Sequence, residues 1–179
     1  MRQLLPILLL SAAPAFADCP PVADRGAELT ALFDAARVAE TEAEGRALNQ
    51  QMWEIWFDAP DEAAQALLER GSSMGRAANF LGAIETYDRL VDYCPHYAEG
   101  WNQRAFMYFL SGAFEEAERD LEQALAREPR HIGALTGLGL TLIQLGREEE
   151  AQIWIRKAVA LNPWISERFL LTEAPEQDL

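Results

Sequence analysis

The sequence holds few of the side chains from which catalytic and metal sites are usually built. Its 179 residues include two histidines and two cysteines, and the cysteines lie too far apart for a CxxC redox motif or a CxxCH haem site. His96 and His131 both fall where turns between helices are expected, and neither has a cluster of further ligands around it. Ser72 and Ser73 have no nearby histidine to activate them. We therefore expect no catalytic residue, no metal and no cofactor.

Basic residues are also scarce. The chain has 15 Lys and Arg against 29 Asp and Glu, so its formal net charge is −14. A surface of this sign repels nucleic-acid phosphates and anionic lipid, so nucleic acid is not an expected partner, whereas a neutral or basic partner is approached more easily. Paired carboxylates such as Glu115 and Glu116 are expected at helix starts, where negative charge is favourable.

Long apolar runs are missing except at the start of the chain. There, Met1 and Arg2 precede the run LLPILLL, and an A-F-A motif ends at Ala17. The run is far shorter than the roughly 20 residues that cross a bilayer. The pattern predicts a secretory signal peptide, residues 1–17, cleaved after Ala17. The mature chain, Asp18–Leu179, would lose Arg2, so its net charge moves from −14 to −15. We expect a periplasmic protein without stable membrane insertion.

The two cysteines are expected to form a disulfide, Cys19–Cys94, because an exported chain meets an oxidising environment. In a chain-entropy treatment, a bridge of this span stabilises the fold by about 4.5 kcal/mol. The alternative is two unpaired thiols, one of them on a loose terminus. A lipid-anchored form is not favoured, since Asp18 stands where a lipid-attachment site has a small residue.

A repeat of 34 residues organises the rest of the chain, starting with Pro95, Pro129 and Pro163. In each unit the aligned first-helix positions lie at i, i+4 and i+7, which is one face of an α-helix. The middle position is small, which allows a second helix to approach closely. Each following proline prevents that second helix from continuing. The other aligned columns are Leu67, Trp101 and Leu135; Gly71, Ala105 and Gly139; Met74, Tyr108 and Leu142; Ala83, Ala117 and Ala151; Tyr87, Leu121 and Ile155.

The pattern resembles the tetratricopeptide repeat, whose signature is W-x2-L-G-x2-Y, then A-x3-F, then P. The matching residues are Trp101, Ala105, Tyr108, Ala117, Leu121 and Pro129 in the middle unit, and Leu138, Gly139, Leu142, Ala151, Ile155 and Pro163 in the next. Arg104 departs from the signature, which has leucine there, and the first unit is the loosest. The resemblance implies an all-α fold, a right-handed α-solenoid with units near 64–97, 98–131 and 132–165. The whole chain resembles small exported repeat proteins of Gram-negative bacteria.

The two ends of the mature chain are expected to cap this array. Residues 18–60 predict an arm and a helical hairpin, interpreted as a degenerate fourth unit in front of the first because Trp53 and Trp56 align with Tyr87 and Leu90. At the other end, residues 166–179 predict a short helix over the last unit and an acidic tail.

The resemblance places a binding groove along the first helices of successive units. Asn102 and Arg76 are the only residues suited to clamp a peptide carboxylate, so we expect an apolar groove instead. Gly133 and Gly137 are expected to let a ligand approach the backbone of the third unit closely. The predicted groove residues are Asn102, Gln103, Phe106, Phe109, Leu110, Thr136, Leu140, Ile143 and Gln144, with Leu68, Ser72 and Arg76 at the corresponding positions of the first unit.

The function expected from this reading is a non-catalytic periplasmic module that binds a polypeptide partner, within an envelope assembly, secretion or cofactor-maturation complex. Three alternatives remain open at this point. The protein's own hairpin or end helix fills the groove, the turns around His96 and His131 carry a small-molecule or metal-dependent hydrolytic site, or the chain associates with itself through its repeat faces.

Overall fold

The computed structural model describes residues 18–172, and this part of the chain is helical without a strand. The all-α repeat fold predicted from the sequence is confirmed. The predicted signal peptide, residues 1–17, and the predicted acidic tail, residues 173–179, lie outside the described residues. Within them, the helices are α1 (Gly26–Val38), α2 (Glu42–Trp56), α3 (Glu62–Arg76), α4 (Phe80–Tyr93), α5 (Ala98–Leu110), α6 (Phe114–Arg127), α7 (Ile132–Gln144) and α8 (Glu148–Leu161), followed by a 3₁₀ turn (Ser166–Leu170).

Helices α3 to α8 form three antiparallel pairs, one for each predicted unit. The small residues of the repeat let each pair close. A Cβ added at Gly71 would lie 2.5 Å from the ring of Tyr87, and one at Gly139 would lie 2.6 Å from Ile155. The helices therefore touch through backbone and side chain at the positions where the sequence repeats a small residue. No helix among the described residues is long and apolar enough to cross a membrane.

An ion-pair network explains why Arg104 replaces an apolar residue in α5. Its guanidinium binds both carboxylate oxygens of Asp120 in α6, at 2.7 and 2.8 Å, and Asp88 in α4, at 2.8 Å. Burial acts to lower the pKa of Arg104, but the two carboxylates outweigh it and hold that pKa above its ordinary value. A bidentate pair of this kind fixes relative orientation, so Arg104 ties the first unit to the second.

The cysteines form the predicted disulfide. Cys19 and Cys94 are bonded with their Cα atoms 5.2 Å apart, which joins the N-terminal arm to the end of α4. The arm makes a second contact beside it, where Nε2 of His96 lies 3.0 Å from the carbonyl oxygen of Pro20. The arm is thus held on the first unit before the chain enters α1.

The N-terminal hairpin does not stack in front of the first unit, as the sequence suggested, but crosses to the third. The indole Nε1 of Trp164, after α8, donates to the carbonyl oxygen of Ala36 in α1 at 3.1 Å, and Arg37 donates to Ala160 in α8 at 3.1 Å. Gly45 in α2 packs so closely on Trp164 that an added Cβ would lie 2.1 Å away. The hairpin therefore covers the last unit together with the 3₁₀ turn.

The turns inside the three units each contain one residue with a left-handed backbone. These residues, Ala78, Gly112 and Gly146, lie one repeat apart and have φ angles of 57°, 81° and 74°. A side chain in this conformation costs about 1–2 kcal/mol, which glycine avoids. Ala78 thus places strain in the first unit, the one whose turn departs most from the repeat.

We expect Ala78→Gly to raise the free energy of unfolding by about 1 kcal/mol, because glycine relieves the left-handed strain. The matched variant Gly112→Ala should lower the free energy of unfolding by a similar amount, since an added Cβ meets no atom within 4 Å and only the backbone is affected. Urea denaturation of both variants measures the effect. A less stable Ala78→Gly protein would contradict this account of the turn.

Candidate binding groove

An apolar cavity of about 420 Å³ lies between the C-terminal end of α2 and the first helices of the second and third units. Phe106 is 51% exposed there, an unusual exposure for a side chain of its size and apolarity. The lining residues are Trp53, Phe57, Asn102, Gln103, Ala105, Phe106, Phe109, Leu121, Gly133, Thr136, Gly137, Leu140, Thr141 and Glu167.

Six of the nine residues predicted for the groove line this cavity: Asn102, Gln103, Phe106, Phe109, Thr136 and Leu140. The other three lie elsewhere. Leu110 is partly exposed at the end of α5, Ile143 packs against the hydrophobic core, and Gln144 is exposed at the end of α7. In α5 and α7 the cavity thus ends before the last residues of the helix, since α2 crosses nearer their N-terminal halves.

The corresponding positions of the first unit do not line the cavity either. Leu68 is fully buried in the core between α3 and α4, and the hydroxyl of Ser72 accepts a hydrogen bond from Arg76 at 2.6 Å. The groove is therefore confined to the second and third units, with α2 as its remaining wall.

Trp53 and Phe57 line the groove from the N-terminal hairpin, a position that the sequence did not predict. Three residues of the repeats and one of the 3₁₀ turn also line it without having been predicted there: Ala105, Leu121, Thr141 and Glu167. Trp53 was interpreted as a packing residue of a fourth unit, yet its ring lies on the start of α7, where a Cβ added at Gly133 would be 2.4 Å from Trp53 Cη2. The missing side chain of Gly133 thus makes room for the indole of Trp53 and not for a ligand. Gly137 makes room for Leu121, which would lie 2.9 Å from a Cβ added at that glycine. Helix α2 fills part of the groove and leaves the rest open.

A buried pair, Glu99 and His131, supports the floor of the groove. Both side chains are at most 1% exposed, and His131 Nε2 lies 2.7 Å from Glu99 Oε2. His131 Nδ1 accepts from the backbone N–H of Ala134 at 3.2 Å, so the ring proton is on Nε2 and is donated to Glu99. Trp56 stacks on the imidazole at 4.3 Å between ring centroids. His131 thus caps the start of α7, and its buried partner Glu99 was not predicted from the sequence.

The two amide side chains of the groove are already oriented by Glu99. Asn102 donates to Glu99 Oε2 at 3.0 Å, and Gln103 donates to Glu99 Oε1 at 2.6 Å. Glu99 therefore accepts three hydrogen bonds as a carboxylate. One N–H of each amide is used in this way, and the carbonyl oxygens of Asn102 and Gln103 are acceptors of the kind that suit the backbone N–H donors of a polypeptide.

The charges around the groove are those of an acidic surface. Among residues 18–172, Glu167 is the only charged residue that lines the apolar cavity, so this part of the chain places no cation there to clamp a carboxylate. Among the described residues, no group of three or more His, Cys, Asp or Glu side chains is arranged to hold a metal ion.

A second, larger cleft lies on the other side of Phe57, between α2 and α3, with a volume of about 840 Å³. Asp61 at its edge accepts from the N–H of Ala64 at 2.8 Å and from the hydroxyl of Tyr93 at 2.6 Å, and these bonds hold the pKa of Asp61 below its ordinary value. The carboxylates that line the cleft are Glu28, Glu54, Asp58, Asp61, Glu62 and Glu69.

Comparison with known proteins finds similarity to tetratricopeptide repeat proteins. Residues 108–163 match the tetratricopeptide repeat family profile. A TPR repeat-containing protein of Rhizobium etli is 30% identical over 115 residues, which cover 64% of this chain and 51% of that protein. The chain thus spans about half the length of this curated relative.

Two solved structures share the fold. The first TPR of Spaghetti (RPAP3), bound to the HSP90 peptide SRMEEVD, is 26% identical with a TM-score of 0.58, covering 59% of this chain and 84% of that chain. The second TPR domain of human RPAP3, in complex with the HSP70 peptide SGPTIEEVD, is 25% identical with a TM-score of 0.57, covering 59% of this chain and 88% of that one.

The contact between Trp53 and Gly133 is open to a direct test. We expect Gly133→Ala to lower the free energy of unfolding by about 1–3 kcal/mol, because the new methyl group overlaps the indole ring. In a Trp53→Leu background the same substitution should be neutral or slightly stabilising, since alanine then contributes only its better helix propensity. Denaturation of the four proteins of this double-mutant cycle gives the coupling energy. An equal cost in both backgrounds would show that Trp53 does not rest on Gly133.

Proposed function

We propose that the chain is a non-catalytic interaction module of the tetratricopeptide repeat type, which binds a polypeptide partner in the apolar groove between α2, α5 and α7. The observation that carries the proposal is the cavity itself, apolar along most of its wall and containing the half-exposed ring of Phe106. Two solved relatives, the RPAP3 repeat domains, are described with bound peptides. The groove here is proposed to serve the same general purpose.

The chemistry of the groove fits a polypeptide better than a small polar metabolite. Phe106, Phe109 and Leu140 offer apolar contact, and Asn102 and Gln103 offer oriented hydrogen-bond acceptors. A segment of polypeptide supplies both apolar side chains and N–H donors. Its partner is proposed to be neutral or basic, since the chain carries a net charge of −14.

A hydrolytic role at the turns has less support, because both histidines are engaged elsewhere. His131 caps α7 and binds the buried Glu99, and His96 contacts the carbonyl oxygen of Pro20. Neither ring is paired with a serine, threonine or cysteine nucleophile in the described hydrogen bonds. The fold family is typically one of interaction modules and not of enzymes.

Export to the periplasm is the second part of the proposal. Its support is the signal-peptide pattern of residues 1–17 together with the disulfide between Cys19 and Cys94, a bond that persists in oxidising compartments. The partner is accordingly proposed to lie in an envelope assembly, secretion or cofactor-maturation complex.

The groove assignment predicts that Phe106→Glu combined with Leu140→Glu abolishes retention of the polypeptide partner, because two carboxylates in an apolar cavity are costly to desolvate. In affinity capture from an extract of the native organism, we expect a loss of at least about tenfold in recovered partner, which corresponds to about 1.4 kcal/mol.

The matched control is Ile153→Glu in α8. Ile153 is 54% exposed, close to the 51% of Phe106, but does not line the cavity. This variant should retain the partner. Circular dichroism and thermal melting establish that all variants are folded. If the folded double variant retained every partner, the groove assignment would be wrong.

Export predicts the covalent state of the mature protein. Intact mass spectrometry of protein from a periplasmic fraction should give a chain that starts at Asp18 and is two hydrogen atoms lighter than the reduced form, because Cys19 and Cys94 are bonded. Retention of residues 1–17, or recovery of the protein in the cytoplasmic fraction alone, would refute the proposed location. A lipid-modified Cys19 would add a large mass and exclude the disulfide.

A further inference from the structure

The apolar groove is continuous with the acidic cleft and with a further cavity whose charged lining residues are of both signs. Phe57 lines both the apolar cavity and the acidic cleft between α2 and α3. At the opposite end, Trp53, Gly133, Thr136 and Glu167 are shared with a further cavity of about 450 Å³ beside the 3₁₀ turn. A segment that extends into the acidic cleft therefore meets carboxylates, and one that extends toward the 3₁₀ turn meets Glu167 and the ion pairs of Glu42 with Arg46 and Arg168.

Glu167 stands at the junction of these two cavities without an ion-pair partner among residues 18–172. Its one polar contact in that part of the chain is the hydroxyl of Ser166, which donates to Glu167 Oε2 at 3.1 Å. The cations nearby are already used. Arg46 binds Glu42 at 2.8 Å, and Arg168 lies 3.7 Å from Glu42 while it donates to the carbonyl oxygen of Trp164 at 2.8 Å.

The acidic cleft between α2 and α3 has more carboxylates than cations along its wall. Its one lining cation, Arg25, is bound to Glu28 at 2.6 Å and to Asp58 at 3.3 Å. Glu54 and Glu69 receive hydrogen bonds from glutamines, Gln50 at 3.2 Å and Gln65 at 3.0 Å, and neither has a cationic partner among the described residues.

An apolar ligand laid over Glu167 would remove water from the carboxylate without supplying a hydrogen bond or a positive charge in its place. A lysine or arginine at that point of the ligand would offset the loss, because it supplies both charge and hydrogen-bond donors. An acidic side chain there would be repelled by Glu167. The charge of the groove thus discriminates between otherwise similar apolar segments.

We propose that Glu167 determines the specificity of the groove, which takes a polypeptide segment whose apolar residues are flanked by a lysine or arginine paired with this carboxylate. The inference rests on the proposed function, since it assumes that the groove binds polypeptide. It assigns to the groove a charge preference opposite to that expected of a carboxylate clamp, and the cleft at Phe57 favours the same sign of charge at the other end of the segment.

Selection from a random dodecapeptide phage library tests the charge preference. On the wild-type protein we expect enrichment of apolar peptides that contain lysine or arginine at a fixed position. On Glu167→Lys the same position should change to aspartate or glutamate. The control Glu85→Lys alters net charge equally on the exposed side of α4 and should select the wild-type consensus. A basic consensus that persists on Glu167→Lys would overturn the assignment.

Synthetic peptides measure how much the basic residue contributes to binding affinity. The most enriched wild-type peptide and its counterpart with the basic residue replaced by norleucine should differ about fivefold to tenfold in affinity for the wild-type protein, and not at all for Glu167→Gln. The acidic heptapeptide SRMEEVD should not bind the wild-type protein measurably. Tight binding of SRMEEVD, or an equal loss on Glu167→Gln, would contradict the role of Glu167.

Phe106→Glu separates this inference from the proposed function. If the enriched peptides bind Phe106→Glu as well as they bind the wild-type protein, they lie outside the groove, and both the proposed function and the inference fail. If Phe106→Glu abolishes binding while Glu167→Lys leaves the consensus unchanged, the groove binds polypeptide but Glu167 does not select its charge. Loss of binding in Phe106→Glu together with reversal of the consensus charge on Glu167→Lys supports both the proposed function and the inference.

Discussion

The packing of α2 on the start of α7 is the contact on which the groove depends. Three stacked units would leave an open first-helix face, and the N-terminal hairpin would be free to cover it completely or not at all. Trp53 resting on Gly133 and Trp56 stacked on His131 fix α2 at one distance from α5 and α7. That distance leaves a cavity of about 420 Å³. The buried Glu99–His131 pair holds the far side of this contact in a single arrangement, since any other leaves a charged group without its donors.

The repeats could be predicted because their packing is periodic. Gly71 and Gly139 touch the second helix of their own unit, so a small residue is required every 34 residues and appears as the column Gly71, Ala105 and Gly139. The disulfide was also predictable, since only two cysteines are present. Ala78 shows a limit of this approach, because the sequence alone does not reveal the left-handed backbone that strains this residue.

The placement of the hairpin could not be read in the same way. It depends on contacts that occur once, such as Gly45 under Trp164 and the bond from Trp164 to Ala36, and a single contact leaves no period in a sequence. Because the hairpin was expected in front of the first unit, its contribution to the groove was missed as well. Six of the predicted residues line the cavity, but Trp53 and Phe57 belong to a helix expected elsewhere. Asn102 and Gln103 each donate a hydrogen bond to Glu99, a partner that no repeat column indicated.

The disulfide has a topological consequence for how the molecule keeps its own hairpin. Helices α1 and α2 reach across to the third unit, and in a crowded solution such an element can exchange between neighbouring molecules. Cys19 precedes the hairpin and Cys94 ends α4, so their bond closes a covalent ring, spanning 75 positions of sequence, that contains the first four helices. With this ring closed, Cys19 stays on its own α4, so exchange that carries the arm together with the hairpin to a neighbouring molecule requires the disulfide to open. A swapped pair of molecules would carry two bonds between chains, so oxidation makes permanent whichever partner the hairpin has at that moment.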